Sequence, residues 1–351
     1  MSVAKMPDGR WYVYLRYKNW DGETKQHKKT GFATKKAAQQ YEIEYKRKKE
    51  GSSDMSLQSL YELYIEDKKH RVKASTVFLQ ESNYKTYIQP YFAVSVDELT
   101  LSAIRNWQNQ LSGKGLSAAL IRSVTTELGA ILKFGKKYYN ITTIDASMID
   151  KPAKIKKDMN FWTLDDWREI EPNLRADNGV DVMISFLFWT GCRLGEMLAL
   201  TPADFDFESS AVKIKKTIAK SSAGYIVQDP KTKKSNRTIL LPKKIADSVK
   251  SYISKLYGIK PNDFIFGGYS ACQSQIKREI MRLSNKCGVK RIRIHDLRHS
   301  HASLLIEQGL PPLLIADRLG HENVTTTLNI YGHLYPNKQE DILNKLNSIL
   351  Q

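Results

Sequence analysis

Residues 295–301 read His-Asp-Leu-Arg-His-Ser-His, and five of the seven histidines in the 351-residue chain lie between positions 295 and 333. At helical spacing, His295, Arg298 and His299 share one face. The stretch differs from the zinc-protease motif HExxH by one methylene at its second position, so a metal site must be considered. Because Arg298 would point a permanent cation at that metal, the sequence favours a cationic cluster. A structural role would suit the last two histidines of the stretch better than the whole group.

A second cationic segment lies upstream, at residues 190–196, which read Thr-Gly-Cys-Arg-Leu-Gly-Glu. It follows the apolar run Val182–Trp189, which predicts a core helix. Gly191 should break that helix, so that a new one can start near Arg193. Glu196, three residues after Arg193, could then orient the guanidinium group. On its own such a pair is usually a surface ion pair.

Two further segments complete the pattern. Residues 230–235 (PKTKKS) precede the strand-like residues 238–242 (TILLP), which places several lysines in a turn between two strands. A solvated hairpin tip is the alternative interpretation of this turn. Leu-Gly-His321 is followed ten residues later by Tyr331, and a lone tyrosine usually serves packing. Together, however, two arginines, a lysine and two histidines could bind the oxygens of a phosphate, with a tyrosine as nucleophile.

Five segments, taken in order, resemble the signature of the tyrosine recombinase family, which includes phage and conjugative-transposon integrases. They are TGCRLGE, PKTKKS, HDLRHSHAS, LGH and TTLNIYGH, and they cover about residues 160–340. The resemblance assigns catalytic roles to Arg193, Lys231, His295, Arg298, His321 and Tyr331. It also implies that Glu196 and His299 contact and orient these side chains without touching the DNA themselves. The chain shows no departure from the family pattern at the six catalytic positions.

The resemblance implies a mechanism in which Tyr331 attacks a backbone phosphorus, forming a 3′-phosphotyrosyl link and releasing a 5′-hydroxyl. Two arginines would stabilise the phosphate charge, Lys231 would protonate the leaving oxygen, and His295 would manage the Tyr331 proton. Neither a metal nor another cofactor is expected. Lys233 and Lys234 are near rivals of Lys231, and the tyrosine one turn further on, Tyr335, is a lesser rival nucleophile. Two such exchanges, through a four-way (Holliday) junction in a homotetramer, would integrate or excise a mobile element.

The composition supports a DNA partner. The chain has 55 Lys and Arg against 37 Asp and Glu, a formal charge of +18 that attracts polyanions. No apolar run approaches the roughly 18 residues of a membrane span, and no secretory signal is visible. Three cysteines without a CxxC pair argue against a disulfide framework. The expected location is the cytoplasm of a bacterial host, on double-stranded DNA attachment sites. An excisionase or a host DNA-bending protein is a candidate accessory partner.

The predicted fold class is α+β and multidomain. Residues 1–50 should form a small β-β-(β)-α module for arm-site DNA, and residues 54–150 an all-α, SAM-like domain for the core site. Residues 151–160 read as a linker, and residues 161–351 as a mainly α-helical catalytic domain with a small antiparallel sheet and a C-terminal helix. The two N-terminal assignments rest on a looser resemblance than the catalytic one.

Two basic segments are candidates for DNA contact. In the predicted strand of residues 10–18, alternation puts aromatic and cationic side chains together on one face. A proline and four lysines mark the linker of residues 151–157. The candidate contact residues are Tyr12, Tyr14, Arg16, Lys18, Lys154, Lys156 and Lys157.

The C-terminal tail carries an apolar stripe at helical spacing. It consists of Ile342, Leu343, Leu346, Ile349 and Leu350, and it could pack on its own domain or on a neighbouring protomer. Two functional alternatives stay open at this point. A type IB topoisomerase would use nearly the same pocket to nick and reseal one strand, and a non-catalytic DNA-binding regulator would keep the fold alone.

Overall fold

The computed structural model of the chain describes residues 2–18, 23–50, 55–141, 144–154, 159–229, 233–267, 269–332 and 349. The chain divides into two compact units, Met1–Lys156 and Lys157–Gln351. Helices predominate in both units, and the strands form small antiparallel sheets, so the α+β fold class is confirmed. Within the described part of the chain, no helix is long and apolar enough to cross a membrane.

The first unit begins with a three-stranded antiparallel sheet followed by one helix. The elements are β1 (Val3–Lys5), β2 (Trp11–Lys18), β3 (Thr24–Phe32) and α1 (Lys35–Glu50). Val13 and Leu15 of β2 are buried with Ala38 of α1, as the alternating pattern predicted. Thr34 begins the helix by accepting the backbone N–H of Ala37 at 3.2 Å. The prediction left a third strand optional, and the strand that the sequence did not locate is β1. Its three residues are too few to show an alternation of apolar and polar side chains.

The opposite face of β2 combines aromatic rings with cations. The Nζ of Lys28 lies 5.1 Å from the ring centroid of Tyr12, and the guanidinium of Arg16 lies 5.9 Å from that of Tyr14. Both tyrosines are half-buried and Arg16 is exposed. The predicted grouping of these side chains is therefore present, whereas the side chain of Lys18 is outside the described residues.

Four α-helices form most of the described remainder of the first unit. They are α2 (Leu57–Lys69), α3 (Ala74–Asn83), α4 (Leu101–Gly113) and α5 (Ala118–Tyr139), with a π-helical turn at Tyr84–Ile88 and a 3-10 turn at Val96–Glu98. Ser56, Thr100 and Ser117 each accept a backbone N–H at a helix N-terminus. The residues at three- and four-residue spacing in α2 are buried in one apolar core. The helical spacing of apolar residues and the side-chain caps therefore account for these helices.

One carboxyl group lies inside this helical core. Glu127, in the middle of α5, is 7% exposed, and Asn83 donates to its Oε2 at 3.0 Å. Among the described residues, no hydrogen-bond partner reaches its Oε1 or the hydroxyls of Tyr61 and Tyr84, whose rings stack 3.5 Å apart. Burial raises the pKa of Glu127 to about 7, although the bond from Asn83 opposes the rise.

Glu127→Gln is expected to weaken the pH dependence of stability. The pKa of Glu127 is about 7 in the folded chain and close to 4.5 in the unfolded chain, so its protonated form favours folding. This contribution is fully present below pH 4.5 and is lost as the pH rises through about 7. The loss amounts to about 1 kcal/mol per pH unit within that window. The measurement is the free energy of urea unfolding across the window for both proteins.

Glu62→Gln is the matched control, because Glu62 is an exposed glutamate on α2 of the same unit. This variant should keep the pH slope of the wild-type chain. Identical slopes for the wild type and Glu127→Gln would contradict the account of the buried carboxyl.

The second unit has eight helices and five short strands among its described residues. The helices are α6 (Leu164–Ile170), α7 (Gly179–Thr190), α8 (Leu194–Leu198), α9 (Lys243–Ser254), α10 (Tyr269–Cys287), α11 (Asp296–Glu307), α12 (Pro312–Leu319) and α13 (Val324–Tyr331), and short 3-10 turns lie between some of them. The strands are β4 (Phe205–Asp206), β5 (Ala211–Ile214), β6 (Thr217–Ser221), β7 (Gly224–Gln228) and β8 (Arg237–Leu240).

The strands form two sheets, whereas the sequence indicated one small antiparallel sheet. One sheet has the order β4-β5-β8, and β6 and β7 form a separate hairpin. The sequence pattern missed the hairpin because only Ile218 and Ser221 are buried in it. With so few buried positions, alternation gives no signal.

Helix α7 lies at the centre of the second unit. It is apolar on all sides, and most of its side chains are buried among the other helices and the sheet, as the run Val182–Trp189 predicted. Cys192 and Cys272 are also buried, and Cys287 is partly exposed. The C-terminal stripe lies outside the described residues except for Ile349, and Tyr335 lies outside them as well.

Candidate active site

The first part of the site is the turn between α7 and α8. Gly191 ends α7 in the left-handed conformation, with φ of 63°, as the sequence predicted. A Cβ at this position would also lie 2.7 Å from Cδ2 of His301, so space and conformation both require glycine. Arg193 is the N-cap residue of α8. The turn therefore presents the Arg193 side chain at the start of a new helix.

Arg193 is held at one end by Glu196. Nη1 of Arg193 donates to Oε1 of Glu196 at 2.7 Å, and the Arg193 backbone N–H donates to Oε2 at 3.0 Å. The arginine side chain is 41% exposed and the carboxylate 2%. Burial tends to raise the pKa of Glu196, but Arg237 and Arg193 outweigh it and lower that pKa. The predicted orienting role of Glu196 matches this geometry, and the guanidinium stays open to solvent on its other side.

Arg237 is a part of the site that sequence reasoning missed. Its Nη2 donates to Oε2 of Glu196 at 2.9 Å, and its Nε donates to the carbonyl of Arg318 at 2.8 Å. The interaction with Glu196 joins residues 41 positions apart. The sequence did contain a sign of its burial. Side chains two residues apart in a strand point to the same face, and Arg237 is followed at this spacing by the buried Ile239 and Leu241.

Arg298 connects three of the sequence motifs. It lies on α11, is 3% exposed, and donates from Nη1 to the Gly191 carbonyl at 2.8 Å and from Nη2 to the Leu319 carbonyl at 2.7 Å. Burial, followed by the nearby Arg193, lowers the pKa of Arg298 to about 9. The guanidinium therefore remains charged at neutral pH.

His295 and His321 are both neutral at pH 7. Burial, with help from His299 and Arg298, lowers the pKa of His295 to about 4, and burial lowers that of His321 to about 3. Nδ1 of His321 lies 2.8 Å from Oγ1 of Thr327. Where the threonine hydroxyl donates to Nδ1, the ring proton is on Nε2, which can then donate to a ligand.

Tyr331 is the last residue of α13 and is buried. Only 1% of it is exposed, and it packs in an apolar cluster with Ile315 and Leu319. Its hydroxyl lies 2.7 Å from Nδ1 of His299. Burial raises the pKa of Tyr331 to about 12, although Arg298 opposes the rise. Sequence reasoning expected His295 to manage the tyrosine proton, but the histidine in hydrogen-bond contact is His299.

His295 lies one helical turn from His299 and contacts it edge-on, with ring centroids 5.2 Å apart. The sequence placed both rings on one helical face, and this expectation is met. Spacing alone cannot choose between them, because the choice depends on where α13 delivers the Tyr331 hydroxyl.

A cleft of about 410 Å³ lies beside these groups. Its lining includes Arg193, Glu196, Ser235 and His321. Lys231 lies outside the described residues, in the segment between β7 and β8. In the parts of the chain that are described, no group of three or more His, Cys, Asp or Glu side chains could hold a metal ion. The expectation that the site needs no metal stays a prediction.

The candidate contact residues of the linker are only partly described. Lys154 is exposed, whereas Lys156 and Lys157 lie outside the described residues.

Comparison with known proteins gives consistent matches along the chain. The model of the phage integrase family matches residues 175–338, that of an arm DNA-binding domain matches residues 1–49, and that of the phage integrase N-terminal SAM-like domain matches residues 56–112. The chain is 27% identical to the ICEBs1 integrase of Bacillus subtilis over 100% of both proteins.

Two solved structures share the fold. One is the Tn1549 transposon integrase in complex with a circular intermediate DNA, with a TM-score of 0.66 and 21% identity over 85% of this chain and 100% of that one. The other is a lambda integrase dimer bound to a COC′ core site, with a TM-score of 0.59 and 16% identity over 96% and 95%. With the three family matches in order and a relative similar over its full length, the chain belongs to the phage integrase family of tyrosine recombinases.

Proposed function

We propose that this site-specific recombinase integrates and excises a mobile DNA element, and that Tyr331 is the nucleophile that cuts the DNA. The observation that carries the proposal is the 2.7 Å contact between the Tyr331 hydroxyl and Nδ1 of His299. His299 lies on α11, next to the buried cation Arg298. A phenol, a proton acceptor and a cationic group for phosphate are what a transfer of DNA to tyrosine needs.

Phosphate binding would use the three groups around the cleft. The exposed side of Arg193 can donate to one phosphate oxygen, and Nε2 of His321 can donate to another. Arg298 would add a buried positive charge, because one N–H of each Nη atom is bonded to a backbone carbonyl and the second N–H of each can still donate to a phosphate oxygen. These donors are fixed before DNA binds, so little rearrangement is needed as negative charge grows on the phosphate.

Tyr331 must lose its proton as it attacks, because its pKa of about 12 keeps it protonated at neutral pH. Burial lowers the pKa of His299, although Asp296 opposes this shift, so its ring is neutral at pH 7 and can accept a proton at Nδ1. We therefore assign His299 as the general base and give His295, whose ring contacts it, a supporting role.

The reaction conserves the number of phosphoester bonds. A bond forms between the Tyr331 oxygen and phosphorus, and the bond from phosphorus to the 5′ oxygen breaks, leaving a 3′-phosphotyrosyl link. Lys231 is the candidate donor of the proton that the leaving 5′ oxygen takes up. The 5′-hydroxyl of a partner strand then attacks phosphorus and releases the tyrosine.

DNA binding would involve both units of the chain. The Tn1549 and lambda integrases have been solved with DNA, and lambda integrase has been solved as a tetramer on a Holliday junction. We propose that this chain likewise binds double-stranded attachment sites and exchanges strands as a homotetramer. Residues 1–50 would contact an arm site and residues 54–150 a core site, joined through the linker 151–160 to the catalytic domain 161–351. An excisionase or a host DNA-bending protein would complete the assembly.

A covalent-trapping experiment tests the proposal. The core sequence is selected by the protein from a pool of random duplexes, and labelled duplexes are then nicked at successive positions of it. In one of them the leaving strand is short enough to diffuse away, so that a protein–DNA adduct accumulates in EDTA. No adduct on a duplex that the protein binds would favour the non-catalytic regulator.

A second assay separates recombination from topoisomerase activity. It follows strand exchange between two different duplexes that both carry the core sequence. Joined products are expected. Relaxation of supercoiled DNA without joined products would favour the type IB topoisomerase.

His299→Asn is expected to slow adduct formation on the order of a hundredfold. Asparagine keeps a hydrogen-bonding group near the tyrosine but cannot take up its proton. For the wild type, the rate should fall in acid as His299 is protonated, below its usual pKa of 6.5. The variant should lose this fall in acid. Its rate should instead rise with pH as Tyr331 ionises, up to the pKa of Tyr331 at about 12. The measurement is the single-turnover rate against pH.

His295→Asn is the matched variant. If His299 is the base, His295→Asn keeps the acid limb of the pH profile and loses less rate. Loss of the limb in His295→Asn, with its retention in His299→Asn, would reverse the assignment.

A further inference from the structure

Arg237 is a buried cation at the meeting point of three segments that carry site residues. It lies on β8, directly after the segment that contains Lys231. It contacts Glu196, which holds Arg193, and the carbonyl of Arg318, three residues before His321. Its Nη1 also donates to the carbonyl of Ser235 at 3.1 Å.

The ion pair between Arg237 and Glu196 is buried on both sides, with 6% and 2% of the side chains exposed. Removing one partner of such a pair leaves the other charge uncompensated in a medium that solvates it poorly. Glu196 also uses its other oxygen, Oε1, to hold Arg193. Without Arg237, the whole negative charge of Glu196 would therefore draw in the Arg193 guanidinium, away from the open cleft.

The segment before His321 packs directly on Arg237. Gly320 ends α12 with φ of 68°, and a Cβ there would lie 2.9 Å from Nη1 of Arg237 and 3.2 Å from its Cδ and Cζ. The glycine of the Leu-Gly-His motif is thus required by the close approach of this guanidinium as well as by its backbone conformation.

We infer that Arg237 is a positioning residue for DNA cleavage, which holds Arg193 through Glu196 and holds His321 through the C-terminal end of α12. The inference rests on the proposed function, because it assumes that Arg193 and His321 bind the scissile phosphate. One cation then fixes the relative position of two phosphate donors that lie far apart in the sequence. A shift of about 1 Å in either donor would cost on the order of a hundredfold in rate.

Two variants and one control test the inference. Arg237→Met keeps the length of the side chain and removes the cation, whereas Arg237→Lys keeps the cation and loses the planar set of donors. Arg175→Met is the control, because Arg175 belongs to the same unit and also donates to a buried carboxylate, that of Asp181, at 2.8 Å, while neither Asp181 nor its other partner Glu279 is a site residue.

The measurements are the single-turnover cleavage rate at saturating core duplex, the Kd for that duplex, and the titration of His321 by NMR. Arg237→Met is expected to lose on the order of a hundredfold in rate, with Kd within a few-fold of wild type. Arg237→Lys should recover part of the rate. The pKa of His321 should rise in Arg237→Met, because the Arg237 charge contributes to lowering it. Arg175→Met should cleave within a few-fold of wild type.

The outcomes separate the inference from the proposed function. Cleavage by Arg237→Met at the wild-type rate would overturn the inference alone, and so would an equal loss in Arg175→Met, which would point to general destabilisation. Thermal unfolding checks both arginine variants, and Arg237→Lys keeps the test valid if Arg237→Met does not fold. An adduct that fails to form with the wild-type chain would overturn the proposed function and, with it, the inference.

Discussion

Tyr331→Phe is expected to abolish covalent adduct formation while leaving DNA binding and the fold intact. The change removes only the hydroxyl, whose contact is with His299, and the ring keeps its packing in the apolar cluster. The loss of one hydrogen bond should cost about 1 kcal/mol of stability. The cleavage rate should fall by more than about 10⁴-fold, because a nucleophile has no substitute. The measurement is the adduct band on a denaturing gel, beside the Kd from a gel shift.

Tyr335→Phe is the matched control, because it removes the other tyrosine that sequence spacing allows as a nucleophile. This variant should form the adduct at close to the wild-type rate. An adduct that survives in Tyr331→Phe and disappears in Tyr335→Phe would transfer the nucleophile to Tyr335.

Arg298→Lys is expected to have the second-largest effect, a loss of about 10²- to 10³-fold in the cleavage rate. The lysine keeps the positive charge but has a single nitrogen. It therefore cannot bridge the carbonyls of Gly191 and Leu319, which Arg298 bonds through two separate nitrogens. The position of the positive charge should change, and so should the relative positions of the three motifs that Arg298 joins. The measurement is again single-turnover cleavage at saturating duplex.

Arg291→Lys controls for the substitution itself, because Arg291 is an exposed arginine shortly before α11. It should cleave like the wild type. A rate for Arg298→Lys within a few-fold of wild type would mean that the charge alone, without the two backbone bonds, is sufficient.

Local signals in the sequence were enough for much of the fold. The apolar run before Gly191 predicted α7. Thr34, Thr100 and Ser117 cap the N-termini of three helices, because a side-chain oxygen can accept free backbone N–H groups. The pairing of Arg193 with Glu196 followed from their spacing of three residues. Each of these inferences depends on residues within a few positions of one another, where backbone geometry fixes what can touch.

The features that escaped prediction depend on contacts between distant segments. The ion pair between Arg237 and Glu196, the contact of His299 with Tyr331 across 32 positions, and the burial of Glu127 beside Asn83 across 44 all arise from tertiary packing. The family resemblance supplied His295 as the proton acceptor. Choosing His299 instead requires knowing where α13 brings the tyrosine hydroxyl.

The measurement that tests the central claim most directly is identification of the amino acid bonded to DNA. The trapped wild-type adduct is digested with nuclease and trypsin, and the nucleotide-bearing peptide is sequenced by tandem mass spectrometry. We predict a phosphodiester between Tyr331 and the 3′ carbon of the remaining nucleotide. A nucleotide on Tyr335 or another residue, or a link to a 5′ phosphate, would contradict the account.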